Sequence, residues 1–499
     1  MSPASLSLSG ACHSQAALKE AFLEGKTESC LEIIRDLACV SGTGRHPAEM
    51  LLPVAEAHDR RAELLRLTET LAQTNAQDCR LLELGAVLHM QLGHLQEAEM
   101  RLREALRRRP RHLPALSALA LTLTQAGRFD EAHDVLCTMR DLDPGDPSAL
   151  SNVAYLTAAR GDVQGAINLY RQAIQLKPDH PQMRLNYSIA LLKAGYFQQG
   201  WSEHEWRFRL PGHTSLPMSR LLPNITPALD IRGKRVLVTQ EEGYGDTFMY
   251  LRFLPLLAEL GAVIRVWGAD IMADLCARVP GVAEIQVGGE TPEYDYHCPF
   301  ISLPRAFSGT RHPFGRDMPY LAADPEKSAR FAEQLAHDRA LRVGLVWAGA
   351  SRRDQTEPFM LDQRRSMPLE TLQPLFNITG VSLYSLQKGP AATQLGNVES
   401  GIVDLMDQCH SMDDTAALID NLDMIVSVDT SVVHLAGGMN KPVLLMDRVN
   451  PCWRWLTDRV DSPWYPSLQI VRQTKAWDWS PVISSVRDIL DDAARQKTS

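Results

Sequence analysis

Met424-Ile-Val-Ser-Val-Asp-Thr-Ser-Val-Val-His-Leu-Ala-Gly-Gly-Met-Asn-Lys-Pro-Val-Leu-Leu-Met446 decides the fold of the second half of this chain. Met424–Val428 is a short apolar run with β-branched residues, which suits a strand buried on both faces. Asp429, Thr430 and Ser431 are all able to cap a helix. The following Val432-Val-His-Leu435 reads as a brief helix, ended by Gly437-Gly438. Pro442 then precedes a second apolar run, Val443–Met446. The result is a strand–helix–strand unit, and a parallel sheet binds its ligand at the carboxyl ends of its strands. Free amides at the start of that helix make an anion site, so a phosphate is expected on Thr430–Val433. An ordinary crossover turn would have the same local pattern.

At 499 residues the chain exceeds what one hydrophobic core usually serves, so two or three domains are expected. A formal net charge of −9 argues against nucleic acid as the main partner. No apolar run approaches the length of a membrane span. Met1–Ser14 is Ser-rich and lacks the basic and apolar regions of a secretory signal. Nine cysteines lie scattered between Cys12 and Cys452 without close pairs at metal spacing. They read as reduced thiols of a cytoplasmic protein, with no metal site.

Toward the N-terminus the pattern turns helical, with a break at Ser41–Pro47. From Cys79 a repeat becomes legible. Gly93, Gly127, Gly161 and Gly195 stand 34 residues apart. Leu82, Leu116 and Leu150 keep the same step, as do Ala86, Ala120, Ala154 and Ser188. So do Ala98, Ala132, Ala166 and Gly200, and Pro110, Pro144 and Pro178. Small residues let paired helices approach, glycine tolerates the turn and proline stops the second helix. The period resembles that of tetratricopeptide proteins. Clear units are expected at 79–112, 113–146 and 147–180, with an altered unit at 181–209 and a degenerate one at 45–78. A solenoid of such units forms a groove for a peptide or protein. A spacer or a self-association surface, giving a homo-oligomer, is the alternative use.

Residues 210–230, with four prolines, read as a linker. Arg235–Gln240 is a first strand running into Gly243-Tyr-Gly-Asp246 and an apolar helix through Phe248, Leu251 and Leu254. Strand and helix patterns then alternate through Val263–Val266, Met272–Arg278, Val282–Val287 and Tyr296–Pro299. Leu341–Trp347 begins a second set. Ala348–Gln363 is polar and reads as a mobile loop. Leu369–Phe376 is helical, Val381–Leu386 is a strand ending at Gln387-Lys388-Gly389, and Ile402–Leu405 is a further strand. Asp413-Asp414-Thr415 are expected to cap the helix Ala416–Leu422. The expected fold is therefore α plus α/β, a helical solenoid followed by two α/β halves.

Several of these stretches form an ordered set: Glu-x-Gly-x-Gly-Asp after the first strand, Gly-Leu-Val-Trp, Ser-Leu-Gln-Lys-Gly, Asp-Thr-Ala-Ala-Leu-Ile, Val-Asp-Thr-Ser-x-x-His-Leu-Ala-Gly and Trp-Arg-Trp-Leu…Ser-Pro-Trp-Tyr-Pro. Over residues 180–485 the set resembles bacterial tetratricopeptide glycosyltransferases whose catalytic part is similar to the heptosyltransferase family (glycosyltransferase family 9). The likeness to O-linked N-acetylglucosamine transferase is looser. The resemblance implies a GT-B fold of two Rossmann-like domains. These would be an acceptor-side lobe at 231–325 and a donor-side lobe at 326–499, after a helical segment at 1–44 and repeats at 45–209. It also implies inverting, metal-independent transfer from a nucleotide-sugar, used as substrate and with no cofactor. Asp246 matches the family's general base. Gln387, Lys388, Asp414, Thr415, Asp429, Thr430, Ser431 and His434 fall on the donor side, and Gly243, Tyr244, Gly245 and Arg365 on the acceptor side or its loop. The implied acceptor is a protein Ser or Thr, with flagellin or another surface protein suggested by relatives of this layout. A lipopolysaccharide or polysaccharide acceptor, and a non-catalytic repeat scaffold, are the alternatives. Glu242 stands where relatives usually carry glutamine, and the 348–363 loop departs from the family pattern.

Overall fold

Gly93, Gly127, Gly161 and Gly195 all take a left-handed backbone, with φ of 80°, 76°, 97° and 80°. Residues other than glycine rarely adopt that conformation, which explains the fixed glycine at each turn. The computed structural model describes residues 14–40, 46–75, 78–210, 216–241, 243–350 and 356–498. Glu242 and residues 41–45 of the Ser41–Pro47 break lie outside them. The chain divides into two compact units, one of residues 1–160 with 351–363, the other of 161–350 with 364–499.

The first unit is helical. Helices cover 14–23, Thr27–Val40, Leu52–Ala57 and Arg61–Thr74. The repeat pairs are Cys79–Gln91 with Leu95–Arg108, and Leu113–Gln125 with Phe129–Leu142, followed by Pro147–Ala159. Ala86, Ala120 and Ala132 are buried in one cluster with Leu102, Leu116, Leu136 and Leu156, so the small residues do mark close helix contact. Asp78 and Asp146 cap their helices, and Pro147 sits at a first-turn position where its missing N–H costs nothing.

The second unit begins with helices Val163–Leu176, Pro181–Lys193 and Phe197–His204. The last of these has eight residues and tightens into a 3-10 turn, Glu205–Arg209, which accounts for the altered sequence there. The α/β region follows as two parallel sheets. The first joins β1 (Arg235–Thr239), β2 (Val263–Gly268), β3 (Val282–Val287) and β4 (Tyr296–Pro299) in the order β3-β2-β1-β4. The second joins β5 (Leu341–Val346), β6 (Val381–Ser385), β7 (Val403–Asp404), β8 (Met424–Val428), β9 (Val443–Asp447) and β10 (Leu468–Arg472) in the order β10-β9-β8-β5-β6-β7. The direction of winding reverses between β5 and β8. Strand β8 is buried on both faces. Ile425 joins a core with Val236, Phe248 and Trp201, while Val426 and Val428 join another with Val343 and the helix residues Val482, Val486 and Leu490.

Three local expectations change. Residues Thr356–Arg365 form a helix, not a loop, since Met360-Leu-Asp-Gln-Arg-Arg365 is dominated by good helix formers; 351–355 lie outside the described residues. The helix Met412–Asp420 starts earlier than expected and has Ser411 as its cap, with Asp414 completing a capping box. Gly437 and Gly438 lie inside the helix Ser431–Gly438, and the left-handed residue beyond it is Asn440, at φ 59°. The glycines are there for contact. A Cβ on Gly437 would stand 2.6 Å from the Tyr465 ring, and one on Gly438 would stand 2.7 Å from Leu321. The 210–230 stretch is also pinned where described: Leu222 is fully buried and its N–H donates to His297 O at 2.8 Å.

Candidate functional site at two facing helix starts

Strand β1 ends at Thr239, and the chain turns through Gly243 into the helix Tyr244–Tyr250, with Asp246 in its first turn. Strand β8 ends at Val428 and turns through Asp429 and Thr430 into Ser431–Gly438. The two helix starts meet. A methyl group at Gly245 would stand 2.8 Å from Cδ2 of His434 and 3.4 Å from Cα of Ser431. Thr430 makes no side-chain cap to its own helix; its hydroxyl is 3.1 Å from Ser427 Oγ. Helix starts carry partial positive charge, and the Ser431–Gly438 start, with no side-chain cap, favours an anion at its first amides.

Arginines add to that charge. Arg454 is ion-paired to Asp246, whose side chain is 16% exposed. Arg365 Nη1 donates to the Asp429 carbonyl at 2.6 Å, at the end of β8. Burial would raise the Asp429 pKa, but Arg365, Arg448, His434 and Arg454 together bring it below the ordinary carboxylate value. His434 is 4% exposed, lies 2.9 Å from the Tyr465 hydroxyl through Nδ1 and stacks on Trp455. Burial, helped by Arg454, pushes its pKa down to about 4. At neutral pH it offers a hydrogen bond and no charge.

Other predicted residues stand apart from this point. Lys388 follows β6, two strands from β8, so roughly 10 Å separates them at ordinary strand spacing. It is exposed and its ammonium donates to the Cys409 carbonyl. Gln387 is buried and spent on the backbone: Oε1 accepts from Trp347 N at 3.1 Å and Ala348 N at 2.9 Å, and Nε2 donates to Ala348 O at 3.0 Å and Lys388 O at 2.9 Å. Asp414 accepts from the amides of His410 and Ser411 and pairs with Lys327 at 2.8 Å. Burial would raise its pKa, yet these partners hold it at about 2. Thr415 is buried, with its hydroxyl donating to Ser411 O at 3.2 Å. Tyr244 is 37% exposed beside the Asp246 turn.

Sequence reasoning missed Arg448 and Lys193. Strands β8 and β9 pair with Val428 beside Met446, so Arg448, two residues on, leaves the sheet next to Thr430. Arg448 Nε donates to Asn450 O at 2.6 Å, and Lys193 Nζ to Asn450 Oδ1 at 2.5 Å. Both cations are buried. The basic residue directly after a strand was a usable signal for Arg448. Lys193 stands 257 positions from Asn450 and gave none. Among the described residues no group of three or more His, Cys, Asp and Glu is placed to hold a metal ion.

The tetratricopeptide repeat family model matches residues 89–154 and 158–199, so the chain carries these repeats, which commonly build protein-binding surfaces. Protein FlbA of Caulobacter vibrioides is 24% identical over 453 residues, covering 77% of this chain and 74% of FlbA. That share exceeds everything up to Arg209, so the likeness runs on into the α/β region. Cellulose synthase 2 operon protein C of Komagataeibacter xylinus is 34% identical over 128 residues, covering 25% of this chain and 10% of that protein. A crystal structure of TTC0263, a thermophilic TPR protein of Thermus thermophilus, is 22% identical, covers 31% of this chain and 86% of its own, and has a TM-score of 0.29.

Proposed function

We propose that this protein is an inverting glycosyltransferase of the GT-B type. It moves a sugar from a nucleotide-sugar to a Ser or Thr hydroxyl of a protein held by the tetratricopeptide repeats. The strand orders support this, since 3-2-1-4 and 3-2-1-4-5-6 are those of nucleotide-binding doubly wound sheets, whose ligands bind where the winding reverses. In the second sheet that point lies between β5 and β8, at Asp429 and Thr430. In this reading 231–325 serves the acceptor and 326–499 the donor.

The chemistry follows from the charges. The Asp246 carboxylate takes the acceptor's hydroxyl proton as its oxygen bonds to the anomeric carbon. The bond from that carbon to the phosphate oxygen breaks, and the electron pair leaves on the nucleoside diphosphate. The amides at Ser431–Val433 and the nearby arginines stabilise that charge, the role a metal fills elsewhere. The observation that carries the reading is the contact of Gly245 with Ser431 and His434, which brings the helix bearing Asp246 against the uncapped helix start. Lys388, roughly 10 Å along the sheet edge, is then within a nucleotide's reach.

A thermal-shift panel of UDP-, ADP-, GDP- and CMP-sugars identifies the donor, because a ligand that binds the native state alone raises the midpoint. Asp246→Asn should then keep the donor's midpoint shift and lose at least about 100-fold in transfer rate, within the range expected of a general base. Loss of both would make Asp246 a structural residue and sink the proposal.

A further inference from the structure

We infer that Arg448 and Lys193, joined through Asn450, form a buried subsite for the diphosphate of a nucleoside diphosphate, so that the last repeat supplies one of the donor's ligands. This rests on the transferase reading and adds to it two residues that neither resemblance nor motif assigns.

Buried positive charge is in excess here. Arg448 is 8% exposed, its Nε is used on Asn450, and its Nη1 is shut off from solvent with no hydrogen-bond partner among the described residues. Lys193 is 6% exposed and its ammonium donates to the amide oxygen of Asn450. Two buried carboxylates act on Arg448: Asp429, which also lies in the field of Arg365 and Arg454, and Asp447, which accepts Arg448 N at 2.9 Å and Arg472 Nε at 3.0 Å. Burial and Arg364 push the Arg448 guanidinium down, and burial with Arg448 pushes the Lys193 ammonium down to about 8. Arg448 and Lys193 repel each other, and the carboxylates near them, Asp429 and Asp447, are shared with Arg365, Arg454 and Arg472, so the buried cations outnumber the buried acids, which is unfavourable. An anion arriving there removes the penalty and gains charge-assisted hydrogen bonds.

Position and shape select the anion. Arg448 and Thr430 each follow the paired residues Met446 and Val428 by two positions, so the chain bearing Arg448 leaves its strand next to the strand that leads into the Ser431–Gly438 helix start. One phosphate on the helix start and the next between Arg448 and Lys193 use both features. A single phosphate uses one.

The test is calorimetry on the full chain with inorganic pyrophosphate, inorganic phosphate and the nucleoside diphosphate of the donor found in the panel. The wild type should bind pyrophosphate at least tenfold more tightly than phosphate. Arg448→Gln and Lys193→Met should each weaken pyrophosphate and nucleoside diphosphate at least tenfold while leaving phosphate within about twofold. If the wild type binds the nucleoside diphosphate and both variants bind it equally well, this subsite is overturned and the transferase reading stands. If the wild type binds no nucleoside diphosphate, the transferase reading falls as well. Should Arg448→Gln lose its near-ultraviolet spectrum, Lys193→Met, which keeps the side chain's length, decides alone: unchanged affinity overturns the subsite.

Discussion

His434, held between Trp455 and Tyr465, sets the acid limit of the site. Its pKa of about 4 lies below the ordinary value of 6.5. The unfolded chain therefore binds a proton between pH 6.5 and 4 that the folded chain refuses. The stability tied to the neutral ring is complete above pH 6.5 and is lost as pH falls toward 4, in total about 3 kcal/mol. Asp447 works in the opposite sense. Burial raises its pKa to about 6, so it favours the fold as pH falls through that value, and the wild-type curve mixes the two. The difference between wild type and His434→Gln isolates the histidine. In urea titrations the wild type's margin over that variant should shrink by about 3 kcal/mol from pH 7 to pH 4. A constant margin would show that the ring is solvated.

The two short helices are fitted at Gly245, and that fit makes an element-scale prediction. Gly245→Ala puts a methyl group 2.8 Å from a ring that Trp455 and Tyr465 hold in place. Overpacking of this kind costs about 1–3 kcal/mol, readable as a lower urea midpoint with an unchanged slope. These elements were legible in sequence because β8, its turn and its helix carry local signals: an apolar run, capping residues and a second run. The repeat was legible because its period is visible at several positions at once. What stayed hidden depends on partners distant in sequence. Gly437-Gly438 looked like a helix stop because the Tyr465 and Leu321 side chains that require them are not local. Thr356–Arg365 looked like a loop because its charged residues mask a helical propensity. Arg454 carries no signal of its own within Trp-Arg-Trp-Leu, because its partner Asp246 is far away in sequence.

Across the second unit, the last repeat and the α/β region share one core: Leu192 and Trp201 pack with Val236, Phe248 and Trp453. Arg207 adds a polar bond to that apolar one. Its side chain is 1% exposed, and it donates to Glu241 Oε2 at 2.8 Å, Glu205 Oε1 at 2.9 Å and Ser302 Oγ at 2.7 Å. Arg207→Leu strands two largely buried carboxylates, so the unit should lose about 3–5 kcal/mol in chemical denaturation. A loss under about 1 kcal/mol, the scale of a solvated pair, would mean that water replaces the guanidinium. Glu241 lies five positions before Asp246, on the run from β1 to the turn. The guanidinium thus works as a rivet between the end of the solenoid and the backbone that carries the carboxylate. Tension or twist in the final helix pair reaches Glu241 through this ion pair, so under the proposed transferase function an acceptor held on those helices pulls on the end of the strand that leads to the carboxylate.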